Sequence, residues 1–314
     1  MGLYKDVSER RRIEAELQRR NDALLALQEI GGAITSTLDP QQVFQRIAER
    51  ACELLNGLSC LLRLLSPDGA QLLPAAHTGR IEAPLNLPLP LAQSEFHGDV
   101  LRARRAKRFS WDEAQRLRGP QPFNRTTLPP LHFVIAPLLL DDEPLGTLFV
   151  GREIDHPEFD EADIALLDLF STQAAIAIRN AREHAALEEA EAEYRELYDH
   201  APVLYYSLDP QGMILNCNKT LADALGYTRE ELIGRLGLVS IIPRMREEAR
   251  TVFKGILHGE GQAQFEIELL RRDGSTFPVE TSVRAVRDAA GNFTRTDMIL
   301  RDITERKQAE TELR

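Results

Sequence analysis

Apolar positions recur along this chain first at helical and then at strand spacing, and the changes mark its parts. Between residues 6 and about 35 they fall at Ile13, Leu17, Leu24, Leu27 and Ile34, in alternating four- and three-residue steps that Arg20 and Gly31 complete. A heptad stripe flanked by charge predicts a helix with an imperfect coiled-coil seam. Residues 40–56 continue as an amphipathic helix that turns Val43, Phe44, Ile47, Ala51 and Leu54 toward a core. A strand over 58–65, a Ser66-Pro67-Asp68-Gly69 turn and a strand over 71–76 follow. Residues 80–130 are rich in Pro and Arg and yield only a short helix over 97–106. Apolar runs over 132–140 and 145–152, joined by Asp141-Asp142-Glu143-Pro144, predict a hairpin. From about 160 to 200 a long helix carries a second seam at Leu169, Gln173, Ile176, Asn180, Glu183, Leu187, Ala190, Tyr194 and Leu197. A seam amide such as Asn180 can set register and strand number in a coiled coil.

From residue 203 the pattern shifts to short strands and turns. Strands over 203–208 and 213–216 flank Asp209-Pro210-Gln211-Gly212. A short helix over 218–225 ends at Gly226, Thr228 and Glu231 form a capping box for the next, and Ile242-Pro243 leads into a third over 244–258. Three strands over 263–271, 276–285 and 293–301 close the series, with Asp273-Gly274 as a strong hairpin signal. Two strands, several helices and three strands predict a five-stranded antiparallel sheet with helices on one face, an α+β arrangement.

The two ends share a sequence. LYKDVSERRRIEAEL runs from Leu3 to Leu17 and ILRDITERKQAETEL from Ile299 to Leu313. Each is a junction where a strand hands over to a charged helix. Asp302, with Thr304 and Glu305 behind it, reads as an N-cap with its box partner, and Asp6 with Glu9 repeats the arrangement. Such a cap contributes about 1 kcal/mol and fixes the phase of the helix relative to the sheet.

Composition narrows the function. The 314 residues suffice for about two domains, and 43% hydrophobic content allows packed cores. A net charge of −11 argues against a nucleic-acid partner, because no basic surplus meets phosphates. The basic cluster Arg102, Arg104, Arg105, Lys107 and Arg108 reads as a solvated helix face. Cys52, Cys60 and Cys217 form no CxxC pair, which suits a reducing cytoplasm, the expected location. No apolar run approaches the roughly 20 residues of a membrane span. Glycine-rich phosphate loops, zinc-ligand spacings and kinase or cyclase signatures are missing, so no catalytic residue and no metal ligand is assigned.

Residues 190–306 resemble a PAS domain, through YRELYDHAPVLYYSLDPQGMILNCN, ALGYTREELIG, RRDGSTFPVETSV and RDITERK in order. Residues 25–182 resemble a GAF domain, through LALQEIGGAITSTLDPQQVFQRIAERACELL, PLLLDDEPLGTLFVGR and FDEADIALLDLFSTQAAIAIRNARE. The resemblance implies an α+β fold of two antiparallel-sheet sensor domains joined and flanked by signalling helices. Its expected organisation is an exit helix of a preceding PAS domain over 1–24, GAF over 25–182, a linker helix over 183–200, PAS over 201–303 and a signalling helix over 304–314. It also implies a sensory fragment of a bacterial signalling protein of the histidine kinase (two-component) or diguanylate cyclase type. Such modules dimerise through parallel helices.

Cofactor motifs of these families are tested residue by residue. PAS domains holding haem place a histidine on the helix after the Ile-Pro step. Arg250 stands there in this chain, and His258 lies two turns on, at the helix end. Flavin-binding relatives carry Asn-Cys followed by Arg-Phe-Leu-Gln on a helix, whereas Asn216-Cys217 precedes Asn218-Lys219-Thr220 at a strand end. Bilin attachment needs a reactive cysteine beside a pocket histidine, and Cys52 and Cys60 read as core. Haem, flavin and bilin are therefore not expected, and the ligand stays open. His77, Trp111 and His132, with His97, are the residues that could face a GAF pocket.

The expected function is a non-catalytic sensory and dimerisation module, with a small-molecule ligand in the GAF or PAS pocket. The signal passes through Asp6, Glu9, Asp302, Thr304 and Glu305 and the seam residues Leu17, Leu24, Leu27, Ile176, Asn180 and Leu187 to an effector. The alternative is a ligand-independent scaffold that only spaces and dimerises other domains.

Overall fold

The computed structural model describes residues 39–79, 87–113, 130–258 and 262–313. The chain divides into two compact units, Met1–Glu188 and Glu189–Arg314. Asp6, Glu9, Leu17, Leu24 and Leu27, and with them the proposed exit helix and first seam, lie outside the described residues.

In the first unit, α1 (Pro40–Leu54) starts where Asp39 accepts a hydrogen bond from the Gln41 N–H at 2.9 Å and Pro40 occupies the first turn. Its apolar face buries Val43, Phe44, Ile47, Ala48 and Ala51. The sheet comprises β1 (Ser59–Leu65), β2 (Gln71–Gly79), β3 (Leu89–Pro90), β4 (Lys107–Phe109), β5 (Leu131–Leu140) and β6 (Glu143–Glu153), in the order β3-β2-β1-β6-β5-β4. One face packs on α1 and on the first half of α3 (Glu161–Asp199), through Leu62, Val134, Leu148, Phe170 and Ile178. The other face carries α2 (Glu95–Ala103) over Phe109, Phe133 and Ile135, where Phe96 meets Phe109 and Phe133 edge-on at 5.0 and 5.3 Å. Because both faces are covered, β1 and β5 are near-continuous apolar runs instead of alternating ones.

Three sequence readings change here. The hairpin turn is tighter than the four residues expected: only Asp141 (φ 46°) and Asp142 (φ 71°) stand between β5 and β6, both left-handed, as a two-residue primed turn needs. The basic cluster is not one helix face. Arg102 lies in the last turn of α2, Arg104 adopts the left-handed C-cap conformation, and Lys107 and Arg108 lie on β4. Lys107 pairs with Asp99 at 2.6 Å and Arg104 with Asp142 at 2.5 Å. Strands β3 and β4 belong to a stretch the apolar pattern leaves blank, since two- and three-residue edge strands are too short to show a period.

The helix α3 is 39 residues long and links the two units. In the second unit the strands are β7 (Leu204–Leu208), β8 (Ile214–Cys217), β9 (Gln262–Leu270), β10 (Thr276–Arg287) and β11 (Phe293–Asp302), ordered β8-β7-β11-β10-β9 and antiparallel. Between β8 and β9 come α4 (Lys219–Leu225), α5 (Arg229–Leu232), two 3-10 turns and α6 (Arg246–His258). Asn218 caps α4, Gly226 ends it at φ 76°, and Thr228 with Glu231 makes both bonds of the capping box on α5. The core joins Leu208, Ile267, Val279, Val283 and Leu300 of the sheet to Leu221, Leu225, Ala249 and Ile256 of the helices. The short helix α7 (Thr304–Glu312) follows β11.

Candidate functional site

The second unit has a cavity of about 310 Å³, open at one side, between its sheet, α6 and the 3-10 turn Gly237–Ser240. Its walls are apolar, with Leu208, Ile241, Phe253, Phe265, Val283 and Met298 among them. Tyr206 is the one buried polar side chain in the wall, and burial pushes its phenol well above the usual tyrosine range. Arg250 and Lys254, one turn apart on α6, line the rim and reach solvent. Gly237 lets the turn approach: a Cβ there would stand 2.9 Å from the Leu208 side chain.

Helix α3 is fastened to this unit by Asn218. The buried amide accepts from the N–H groups of Tyr205 and Leu221, both at 3.0 Å, and donates to the carbonyls of Tyr198 (3.1 Å) and Val203 (2.9 Å). Both donors and two acceptor positions are thereby used. The Thr220 hydroxyl lies 3.0 Å from the Asp199 carbonyl, and Arg229 stands 3.6 Å from the Asp199 carboxylate with its guanidinium over the Tyr198 ring. Tyr198 meets Tyr194 in a stack and Tyr205 edge-on at 5.1 Å.

Helix α7 is fastened at its first turn. The Asp302 carboxylate accepts from the Thr304 N–H at 2.8 Å and from the Thr304 hydroxyl at 2.5 Å. The N-cap is Ile303, however: its carbonyl accepts the first intrahelical bond, from the Lys307 N–H at 3.0 Å. Glu305 is then one position too early to return a bond to the cap, so the expected capping box is replaced by a turn closed by Asp302. Ile303 is buried and its N–H donates to the Pro278 carbonyl at 3.1 Å. Lys307 reaches Glu266 at 2.6 Å, and Arg306 bonds Glu266 and lies 3.6 Å from Glu280, tying the turn to β9 and β10. The Lys307 hydrogen bond holds the Glu266 carboxyl below its ordinary range.

On α3, the apolar seam members stand exposed: Leu169 at 48%, Leu187 at 59%, Leu197 at 68% and Tyr194 at 69%. Ile176 is half-buried and Asn180 exposed, while Leu167, Phe170, Ala174, Ala177 and Ile178 face the first unit's core.

The GAF-pocket residues are not brought together. His77 is exposed on β2 and His132 half-buried on β5, with β1 and β6 between the two strands. Three strand spacings amount to about 14 Å. Trp111, half-buried, follows β4. The His132 ring nitrogen Nδ1 is 3.8 Å from Glu158. The buried polar pair under α2 is instead His97 and Thr147, Nδ1 to Oγ1 at 2.9 Å, near the buried Arg63. Burial, and then the Arg63 charge, push His97 down to about 3, so it is neutral. Among the described residues no three His, Cys, Asp or Glu side chains could hold a metal ion. Cys60 and Cys217 are buried free thiols.

Sequence reasoning missed Asn218 as a fastening and the Glu266–Arg306–Lys307 cluster. A signal existed for the first, since Asn218 stands just ahead of a helix at an N-cap position. The second joins residues 40 apart, which no local pattern shows.

Two antiparallel-sheet α+β units linked by a long helix, the second with an apolar cavity against its sheet, define a sensor-type architecture. The comparisons agree: a model described as GAF domain matches residues 37–179 and one described as PAS fold matches residues 192–303. The chain belongs to these families, as a GAF domain followed by a PAS domain, the tandem found in signalling sensor modules. It is 30% identical over 175 residues to a methyl sulfide methyltransferase-associated sensor of Methanosarcina acetivorans, covering 54% of this chain and 16% of that protein's length. The PAS domain of an HTR-like protein from Haloarcula marismortui is 30% identical with a TM-score of 0.35, covering 39% of this chain and 98% of that one. The GAF domain of a phosphoenolpyruvate-protein phosphotransferase from Coxiella burnetii is 20% identical with a TM-score of 0.43, covering 52% of this chain and 97% of that one. No helix among the described residues is long and apolar enough to cross a membrane.

Proposed function

We propose that this chain is the sensory and dimerisation segment of a longer cytoplasmic signalling protein. It carries ligand occupancy through helices to a kinase or cyclase effector and is itself non-catalytic. One observation carries the reading. Tyr206 and Met298 are paired neighbours on β7 and β11, and both line the cavity. Tyr206 is next to Tyr205, which Asn218 binds, and Met298 lies four residues before Asp302, which closes the turn into α7. A ligand that moves these two strands acts on both helix fastenings at once. The domains in this reading are GAF over 25–182 and PAS over 201–303, with linker and signalling helices around them.

The exposed seam of α3 supports a homodimer through parallel helices. Leu169, Leu187, Tyr194 and Leu197 recur at heptad spacing and face solvent in the single chain. The reading is tested in the complete signalling protein. Asp302→Ala is expected to uncouple effector output from stimulus while the PAS domain stays folded. Output that remains stimulus-responsive in that variant removes the relay.

A further inference from the structure

We propose that the PAS cavity takes an organic anion with an apolar body, its charged head held at the rim by Lys254 and Arg250. This rests on the reading of the cavity as the sensing pocket. A volume of about 310 Å³ lies at the lower end of small-molecule sites. Phe253, Phe265 and Met298 offer the body apolar walls, where each buried methylene contributes about 0.8 kcal/mol. The lining contains two cations and no Asp or Glu. That asymmetry sits in a chain of net charge −11, so it does not reflect the average surface. Arg250 is already paired with Glu247, whereas Lys254 has no ion pair among the described residues. The two project one turn apart from α6, the spacing at which both reach one head group. A cationic ligand would meet like charge at the rim, and a neutral one would leave Lys254 unused.

The test titrates the full chain, labelled with ¹³C at its methionine methyl groups, with decanoate, 1-decanol and decyltrimethylammonium. Met298 lines this cavity and Met213 a different one, so the two methyl resonances report where a probe sits. Decanoate is expected to shift Met298 and not Met213, and to bind more tightly than 1-decanol although the alcohol is easier to desolvate. Raising salt weakens the decanoate complex alone. Lys254→Ala lowers decanoate affinity about fivefold, the scale of a partly exposed ion pair, leaves 1-decanol unchanged, and is reversed by Lys254→Arg. Lys254 is exposed, so the variant folds; Arg250→Ala gives a second, smaller loss. Equal or tighter binding of 1-decanol or the ammonium probe at Met298 overturns the anion and leaves the cavity as a sensing pocket. Decanoate shifting Met213 but not Met298 overturns the site. If no probe shifts either methyl, the sensing-pocket reading falls with the proposal.

Discussion

Asn218 makes four hydrogen bonds from a position without solvent contact; one holds the end of α3 at Tyr198 and another the segment after it at Val203. Asn218→Ala strands two N–H groups and two carbonyls, and each unsatisfied buried group costs about 1–3 kcal/mol. Partial rescue by water sets the expected loss at about 3 kcal/mol, read by urea unfolding followed by circular dichroism. Asn218→Asp keeps both acceptor bonds but sets a buried carboxylate oxygen against the Tyr198 and Val203 carbonyls, so its loss is expected to be at least as large. A loss under about 0.5 kcal/mol in the alanine variant, the scale of a surface substitution, would show that the fastening is idle. His97 makes a second residue-level case. Its folded-state value is depressed to about 3 from an ordinary value near 6.5, so the unfolded chain binds the extra proton between those limits. Stability is therefore complete above pH 6.5 and is lost as pH falls from there toward 3. The slope can reach about 1.4 kcal/mol per pH unit. His97→Gln, which can still bond Thr147, is expected to flatten the dependence between pH 6.5 and 4.5 in denaturant titrations. An unchanged slope would place the acid sensitivity elsewhere.

At the scale of elements, α3 presents two faces of different character along one rod. Leu167, Phe170, Ala174 and Ile178 are buried in the first unit's core, while the heptad positions Leu169, Leu187 and Leu197 are left in water. Covering one such leucine contributes about 1.5–3 kcal/mol. Leu187→Lys and Leu197→Lys should therefore each raise the dimer dissociation constant tenfold or more in sedimentation equilibrium, with circular dichroism unaltered. A parent chain that sediments as a monomer at every concentration would contradict the seam. The start of α7 offers the corresponding test at the other end. Replacing Glu266 and Glu280 by glutamine removes the ionic partners that β9 and β10 give Arg306 and Lys307, leaving Arg306 its Glu310 neighbour at 3.8 Å on α7 itself, and hydrogen exchange across α7 is expected to rise. Glu266 is held below its ordinary carboxylate range in the folded chain, so its contribution is present above that range and fades as pH falls through the lowered value. Protection in α7, taken relative to the intrinsic exchange rate at each pH, should accordingly fall on acidification in the parent more than in the glutamine variant.

Across the whole molecule, the parts legible in sequence were those written in adjacent residues. Caps at Thr228 and Glu231, the glycine after α4 and the Asp273-Gly274 turn are local, and each stands where the pattern put it. The region 80–130 was opaque because its described strands are short edge pieces and its helix lies over an aromatic cluster from distant strands. The cavity was illegible for a different reason. Its wall runs from Tyr206 to Met298, and an apolar residue beside a void reads like one in a filled core. The separation of His77 from His132 is equally hidden, because nothing in the sequence marks the two strands that stand between theirs.

Signalling through this domain requires the state of the cavity to reach both helix fastenings. Hydrogen–deuterium exchange of the full chain, parent against Val283→Phe, asks this without a ligand, since the larger ring fills part of the space Val283 borders. The expected result is altered protection at Tyr205 and Leu221, held by Asn218, together with Thr304 and Lys307 at the start of α7, and none in β1 to β6. A change confined to the strands and helix that line the cavity, with both fastenings untouched, would contradict it.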